Sequence, residues 1–312
     1  MPPPSHRFRL FRRLGRLLAV LLPLAASALA GPLDQWHWRG LNPPASFKGD
    51  NYEALYHQEN LLAVVGSGRV LLRKDNDDAW QAVDPGNPLP LYGVVSAHGT
   101  FFASGADGTL LSSRGGETWT VRHSEVRVPL FAIMYTPSVF VVVGDGGTIL
   151  TSGYGRTWLR QASRVIEPLF AVGFAAGNFL IVGGHGTILR SGDGTYWLPQ
   201  VSGTNRALHG VAGGKGVYVA VGDGGTILSS IDTRKWTPRD SGTTKALLGV
   251  AYGGGYFVAV GSEGTILTSE DGAHWQPRAS GVTHYLKAVT YARDSFWIAG
   301  WTGALLQSDP VK

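Results

Sequence analysis

Glu53 and Tyr92 are the pair in this chain best suited to covalent chemistry. They stand 39 residues apart, and that spacing recurs throughout the sequence, so they hold equivalent positions in adjacent units. A tyrosine beside a glutamate can act as a nucleophile once the carboxylate takes its proton. Glycoside hydrolysis by two carboxyl groups needs acids roughly 5–10 Å apart, and no such pair stands out. The 9 histidines show no H-x-x-x-H spacing of the kind that holds zinc. His185 and His209 occur singly at otherwise repetitive positions, as surface or packing histidines do. The Asp-Gly turns offer one or two carboxylates per unit, and hairpin geometry already accounts for them without calcium. With no cysteine, disulfides, thiolate metal sites and cysteine nucleophiles are excluded. No G-x-x-x-x-G-K-[ST] occurs, so the glycine-rich turns are not phosphate cradles. The expectation is a protein without metal or cofactor.

The 312 residues carry 27 basic and 22 acidic side chains, a formal charge of +5. Five of the basic residues, Arg7, Arg9, Arg12, Arg13 and Arg16, precede residue 31, and no acid does. The remainder is neutral, which removes the electrostatic case for nucleic acid. Those arginines, the apolar run 17–30 and Ala28-Leu29-Ala30 read as an export signal with cleavage before Gly31. The chain divides into a signal peptide, 1–30, and one domain, 31–312. After signal removal no transmembrane segment is expected, and the product would be periplasmic or secreted. The 44 glycines are about twice the usual ~7%. Together with many aromatics they imply short strands joined by tight turns.

The elements that position these residues repeat. Trp80, Trp119, Trp158, Trp197, Trp236 and Trp275 are each 39 residues apart. Gly66, Gly105, Gly144, Gly183, Gly222, Gly261 and Gly300 keep the same step, and their turns imply backbone angles costly to other residues. A small residue recurs in the first strand of each unit: Ala54, Gly93, Ala132, Ala171, Gly210, Gly249 and Ala288. In residues 247–284 the pattern predicts strands over 247–252, 256–260, 265–269 and 275–278. Four short antiparallel strands repeated seven times make a seven-bladed β-propeller. The seventh tryptophan would fall past Lys312. Trp36, followed three residues later by Arg39 as Trp119 is by Arg122, is the candidate for it. The N-terminal strand would then complete the last blade and close the ring. Each tryptophan should pack between neighbouring sheets with its indole N–H bonded.

The turns before the tryptophans carry a family likeness. Ser191-Gly192-Asp193-Gly194-Thr195-Tyr196-Trp197 and Ser269-Glu270-Asp271-Gly272-Ala273-His274-Trp275 resemble the Asp-box, or BNR repeat, of sialidase-like propellers. Ser230, Asp232 and Trp236 form a third copy without the glycine. Over whole units the pattern is similar to the photosystem II stability/assembly factor family and its relatives in non-photosynthetic bacteria. That resemblance implies a non-catalytic propeller whose Asp-boxes are structural turns on the face away from the ligand. Asp193, Asp232 and Asp271 would accept hydrogen bonds from their own turns. Arg127-Val128-Pro129 is similar to the Arg-Ile-Pro motif of sialidases, but it lies in the third unit's loop. A sialidase-like glycan hydrolase or glycan binder is therefore the alternative.

Two sets of residues could meet a partner. The segments between units contain Arg122, Arg127, Arg160, Arg164, Arg206, Arg239, Lys245 and Arg278, against Asp84, Glu125, Glu167 and Asp240. This suggests a mildly basic face, with Asp107, Asp145, Asp223 and Glu263 against Arg69 in the hairpins of the same face as the counterweight that would leave an ordinary solvated mixture. The position before each small first-strand residue varies where its neighbours repeat: Glu53, Tyr92, Phe131, Phe170, His209, Leu248 and Lys287. A shared backbone would present these side chains near the channel mouth. The reading is an exported, monomeric, non-catalytic scaffold that binds a protein partner, in assembly or stabilisation of an envelope complex, with a glycan as the alternative ligand.

Overall fold

The computed structural model describes residues 37–44, 47, 50–58, 61–74 and 79–311. The export signal and Trp36 lie outside the described residues. The described chain forms seven four-stranded antiparallel sheets, six of them paired in chain order from first strand to fourth. In blade 4 the strands are Leu169–Ala175, Asn178–Gly183, Ile188–Ser191 and Leu198–Gln200. The second strand, Phe179-Leu180-Ile181-Val182, is buried on both faces because each sheet lies between two others. The fourth strand is short and exposed, and it forms the outer edge. Pro199, Pro238 and Pro277 occupy that edge in blades 4, 5 and 6, where a missing N–H blunts strand pairing.

Blade 7 is assembled from both ends of the described chain. Leu286–Ala292, Ser295–Gly300 and Leu305–Ser308 are joined by Trp38–Gly40 as fourth strand. The register, Trp38 opposite Ser308 and Gly40 opposite Leu306, corrects the assignment of Trp36. Ser308 is the counterpart of Ser113, and Leu110 and Leu305 are likewise equivalent. Arg122 pairs with Leu110 in blade 2, while Leu41 donates its N–H to the Leu305 carbonyl at 2.8 Å in blade 7. Leu41 is thus the equivalent of Arg122, and Trp38 of Trp119. Trp38 packs with Val258, Val260, Phe296 and Ile298, filling the seam between blades 6 and 7.

The other seams follow the same plan. Trp197, 1% exposed, packs against Val141, Val143 and Ile149 of blade 3 and Leu169, Phe179 and Ile181 of its own blade. Trp119, Trp197 and Trp236 donate their indole N–H to the carbonyl three residues back. The indole nitrogens of Trp158 and Trp275 are buried without an acceptor, contrary to the expectation for the whole set. Trp80 lies beneath the Arg73 guanidinium, 5.8 Å from ring centre to cation.

The glycine ladder has a different cause from the one expected. Gly183 is extended, with φ −166°. It must be glycine because a Cβ there would lie 2.2 Å from the Pro168 carbonyl oxygen in the strand-to-strand crossing. The positive φ falls two and three residues later, at His185 (+49°) and Gly186 (+70°). The crossing and the hairpin are pinned together by Gly184 N–H to Pro168 O, 2.8 Å. This puts the inter-blade segments and the hairpins between second and third strands on one face of the ring.

Candidate functional site: the channel mouth

Each blade's first strand carries a β-bulge at its start. The register skips one residue between Tyr52 and Ala54, Leu91 and Gly93, Leu130 and Ala132, Leu169 and Ala171, Leu208 and Gly210, Leu247 and Gly249, and Leu286 and Ala288. The skipped residues are Glu53, Tyr92, Phe131, Phe170, His209, Leu248 and Lys287. A bulge leaves its extra residue unpaired and re-aims the side chain. All seven line one cavity of about 450 Å³ around the axis. The small residue that follows each is required by crowding, since neighbouring first strands almost touch there. A Cβ on Gly210 would sit 3.1 Å from Gly249 Cα.

The lining is divided into sectors. Tyr92, Phe131, Phe170 and His209 form a continuous arc, with successive ring centres 5.8, 5.5 and 5.2 Å apart and tilts of 39–55°. These rings are half-buried, with their inner sides on the cavity. Leu248 continues the apolar sector. Lys287 and Glu53, on the adjacent blades 7 and 1, supply one cation and one anion. Glu53 accepts the Trp301 indole N–H at 3.0 Å, and Trp301 stacks on Tyr285 with centres 4.8 Å apart. His209 Nε2 meets Asp223 Oδ1 at 2.8 Å. Trp301 was not anticipated as part of the mouth. It occupies the hairpin position that Asp223 holds in blade 5, and only the ring brings it beside Glu53.

The Glu53–Tyr92 pair is adjacent but poorly tuned for nucleophilic attack. Burial raises the Tyr92 pKa above the ordinary tyrosine value, and the Glu53 charge raises it further. The phenol therefore stays protonated in the neutral range. The lining holds one carboxylate and no arginine, whereas the sialidase-like reading calls for an arginine cluster. Among the described residues, no group of three metal-ligating side chains is present.

The eight basic residues do not form one face. Arg122, Arg160, Arg239 and Arg278 sit in fourth strands at the outer edge of their blades. Three of them are used within the blade. Arg122 donates to Ser112 Oγ at 2.7 Å, Arg239 to Ser229 Oγ at 2.7 Å and Arg278 to Thr268 Oγ1 at 2.9 Å. Arg160 is exposed. The loops hold the other four. Arg206 donates to the Gly224 carbonyl at 2.8 Å, and Lys245 pairs with Glu263 at 2.8 Å. Arg164 reaches sideways over the Tyr196 ring, 5.4 Å from its centre, and Arg127 is exposed. The predicted basic face thus dissolves into edge hydrogen bonds and local pairs. Charge counted by segment does not show which way a side chain points.

The turns before the tryptophans, which join third to fourth strands, lie on the opposite face. Asp193 Oδ1 accepts the backbone N–H groups of Thr195 and Tyr196 at 2.8 and 2.9 Å, and the Ser191 hydroxyl at 2.9 Å. The two backbone donors hold Asp193 well below the usual carboxylate range. Asp232 is lowered in the same way by the N–H groups of Lys235 and Arg234. For Asp271, burial pushes upward, but the backbone N–H of His274, its side chain and the Ala273 N–H outweigh it. All three carboxylates are occupied in shaping their turns.

Fold and mouth together define a seven-bladed propeller with a largely aromatic and apolar cup, bearing one acid and one base, on the face of the inter-blade segments. No family model matches the sequence, and no curated protein matches it. Solved structures do match in fold. YCF48 from Cyanidioschyzon merolae aligns with a TM-score of 0.71 at 16% identity, covering 86% of this chain and 98% of that one. YCF48 bound to D1 peptide aligns at 0.73 and 17%, over 93% and 100%. Virginiamycin B lyase from Staphylococcus aureus aligns at 0.79 and 9%, over 88% and 99%. The seven-bladed propeller expected from the repeat is thus the fold this chain has, and it is a fold shared with YCF48. The lyase shows that the same architecture also serves an enzyme.

Proposed function

We propose that the chain is a non-catalytic propeller scaffold that binds a segment of a protein partner at the channel mouth. The observation that carries this is the convergence of seven bulged, non-repeating side chains on one cavity. A repeat that otherwise copies itself varies where a ligand would touch it. The likeness in fold to a propeller solved with a peptide bound supports the same reading. We further propose that residues 1–30 export the chain, and that it acts in assembly or stabilisation of an envelope or membrane complex. No helix among the described residues is long and apolar enough to cross a membrane.

The test is capture of cross-linked partners from native cells that express the tagged full-length chain, compared with the double variant Phe131→Ala/Phe170→Ala. A protein captured by the parent and lost in the variant, at equal folded yield, is the expected result. Equal capture by both would refute the mouth as the partner site. Mass spectrometry of the chain recovered from the periplasmic fraction should find Gly31 at its N-terminus, and an intact leader would refute cleavage there.

A further inference from the structure

We infer that the mouth takes one neutral aromatic side chain of the bound segment, inserted against the arc of Tyr92, Phe131 and Phe170. This rests on the reading of the mouth as the partner site and specifies what the partner must present.

Shape comes first. The cavity, about 450 Å³, falls within the ~300–1,000 Å³ range of small-ligand pockets. It is a receptacle for a side chain rather than a flat docking plane. Three consecutive rings tilted by 43° and 55° present alternating edges and faces. An incoming ring gains edge-to-face contacts with such a surface, worth roughly 0.5–1.5 kcal/mol per pair beyond area burial.

Charge comes next. Glu53 and Lys287 cancel as lining charges, and His209 is engaged by Asp223. A lysine, arginine, aspartate or glutamate side chain would be desolvated against the rings, and a lining of no net charge does not offset that cost. A neutral ring meets no such penalty. The main chain flanking it carries both N–H donors and C=O acceptors, which suits the Glu53 carboxylate and the Lys287 ammonium.

A glycan fits less well. Sugars bind on exposed, flat aromatic platforms surrounded by hydrogen-bonding groups. Here the rings are tilted and half-buried. Two of the polar lining groups, Glu53 and His209, already hold a protein partner. Hydroxyls pressed against the arc would be left unpaired.

The experiment uses blocked pentapeptides Ac-Gly-Gly-X-Gly-Gly-NH2, with X as Trp, Phe, Lys, Glu or Gly. Binding to the folded chain is followed by the Trp301 indole N–H resonance, which sits beside the mouth through its bond to Glu53. The Trp and Phe peptides should bind at least tenfold more tightly than the Lys, Glu and Gly peptides. Phe170→Ala should abolish that preference. Phe170→Leu, which keeps most of the volume and removes the ring, should reduce it severalfold; both variants are checked for an unchanged unfolding midpoint. Equal or tighter binding of the Lys or Glu peptide would overturn the inference while leaving the partner reading intact. So would a saturable oligosaccharide that competes at the same resonance. If no peptide binds and the partner captured from cells is indifferent to Phe131 and Phe170, both readings fall.

Discussion

At the scale of single residues, the repeated tryptophans and aspartates were legible from spacing, and their structural role follows from what they touch. Trp197 bridges blades 3 and 4 and is 1% exposed. Trp197→Ala should therefore cost roughly 3–5 kcal/mol, as truncation of a large core side chain does. A urea melt showing an unchanged midpoint would contradict the packing role. Asp193 acts through hydrogen bonds instead. Its pKa is depressed in the folded chain, so its contribution is complete above the unfolded-state value of ~3.9 and is lost as pH falls through the folded value. Asp193→Ala should destabilise by about 1 kcal/mol at pH 7, and the gap to the parent should close on acidification below about pH 4. A gap that stays constant down to pH 2 would mean that the carboxylate charge does not matter. Trp36 was the residue misassigned, since Trp38 holds the seventh tryptophan position. Trp36 and Trp38 are two residues apart in the sequence and the Trp-x-x-Arg match favours Trp36, but it is Trp38 that opens the short strand. A three-residue strand carries too little alternation to fix its own register, so only pairing with Leu306–Ser308 decides.

At the scale of elements, strand positions in residues 247–284 were legible within a residue or two. Apolar alternation and turn residues mark them directly. The reason for the ladder glycines was not legible, because a sequence cannot distinguish a glycine needed for its φ from one needed for clearance. Two glycines of one neighbourhood separate the causes. Gly186 and Gly203 have similar φ, +70° and +77°. A Cβ on Gly186 would lie 2.1 Å from the Thr204 carbonyl oxygen, while one on Gly203 meets nothing within 4 Å. Gly203→Ala should cost only the left-handed penalty of about 1–2 kcal/mol. Gly186→Ala adds a backbone clash that must move the loop, and should cost ~3 kcal/mol or more. Thermal unfolding of the two variants side by side measures the difference. Equal losses would show that the loop yields freely. The bulges belong to this scale too. The variable position before each small residue was visible, but that all seven point inward depends on a register skip that no single strand reveals.

At the scale of the whole molecule, closure was read from a mismatch in counting, seven glycine turns against six tryptophans in step. The structure meets that requirement by pairing chain ends. Beyond the strand register, His37 N–H donates to Asp309 Oδ2 at 2.9 Å and its ring meets the same oxygen at 3.1 Å, while Asp309 N–H donates to His37 O. A ring held at one seam differs from an open stack of repeats. Removing the seam strand exposes the outer edge of Leu305–Ser308 and uncovers Val258, Ile266, Leu306 and Val311, which Trp38 helps to cover. A chain lacking residues 31–41 should therefore unfold in a broader transition at lower temperature and associate through the bared edge. Truncation alone could also act by removing local contacts with no bearing on closure. A circular permutant separates the two. Joining the end of the chain to residue 37 by a flexible linker, with new termini at the exposed Gly203, makes blade 7 continuous and moves the break into blade-connecting loop. Such a permutant should remain monomeric by light scattering and keep a single sharp transition. If it melts as broadly as the truncated chain, stability does not depend on closing the ring at blade 7, and the N-terminal strand is an ornament of the fold rather than its clasp.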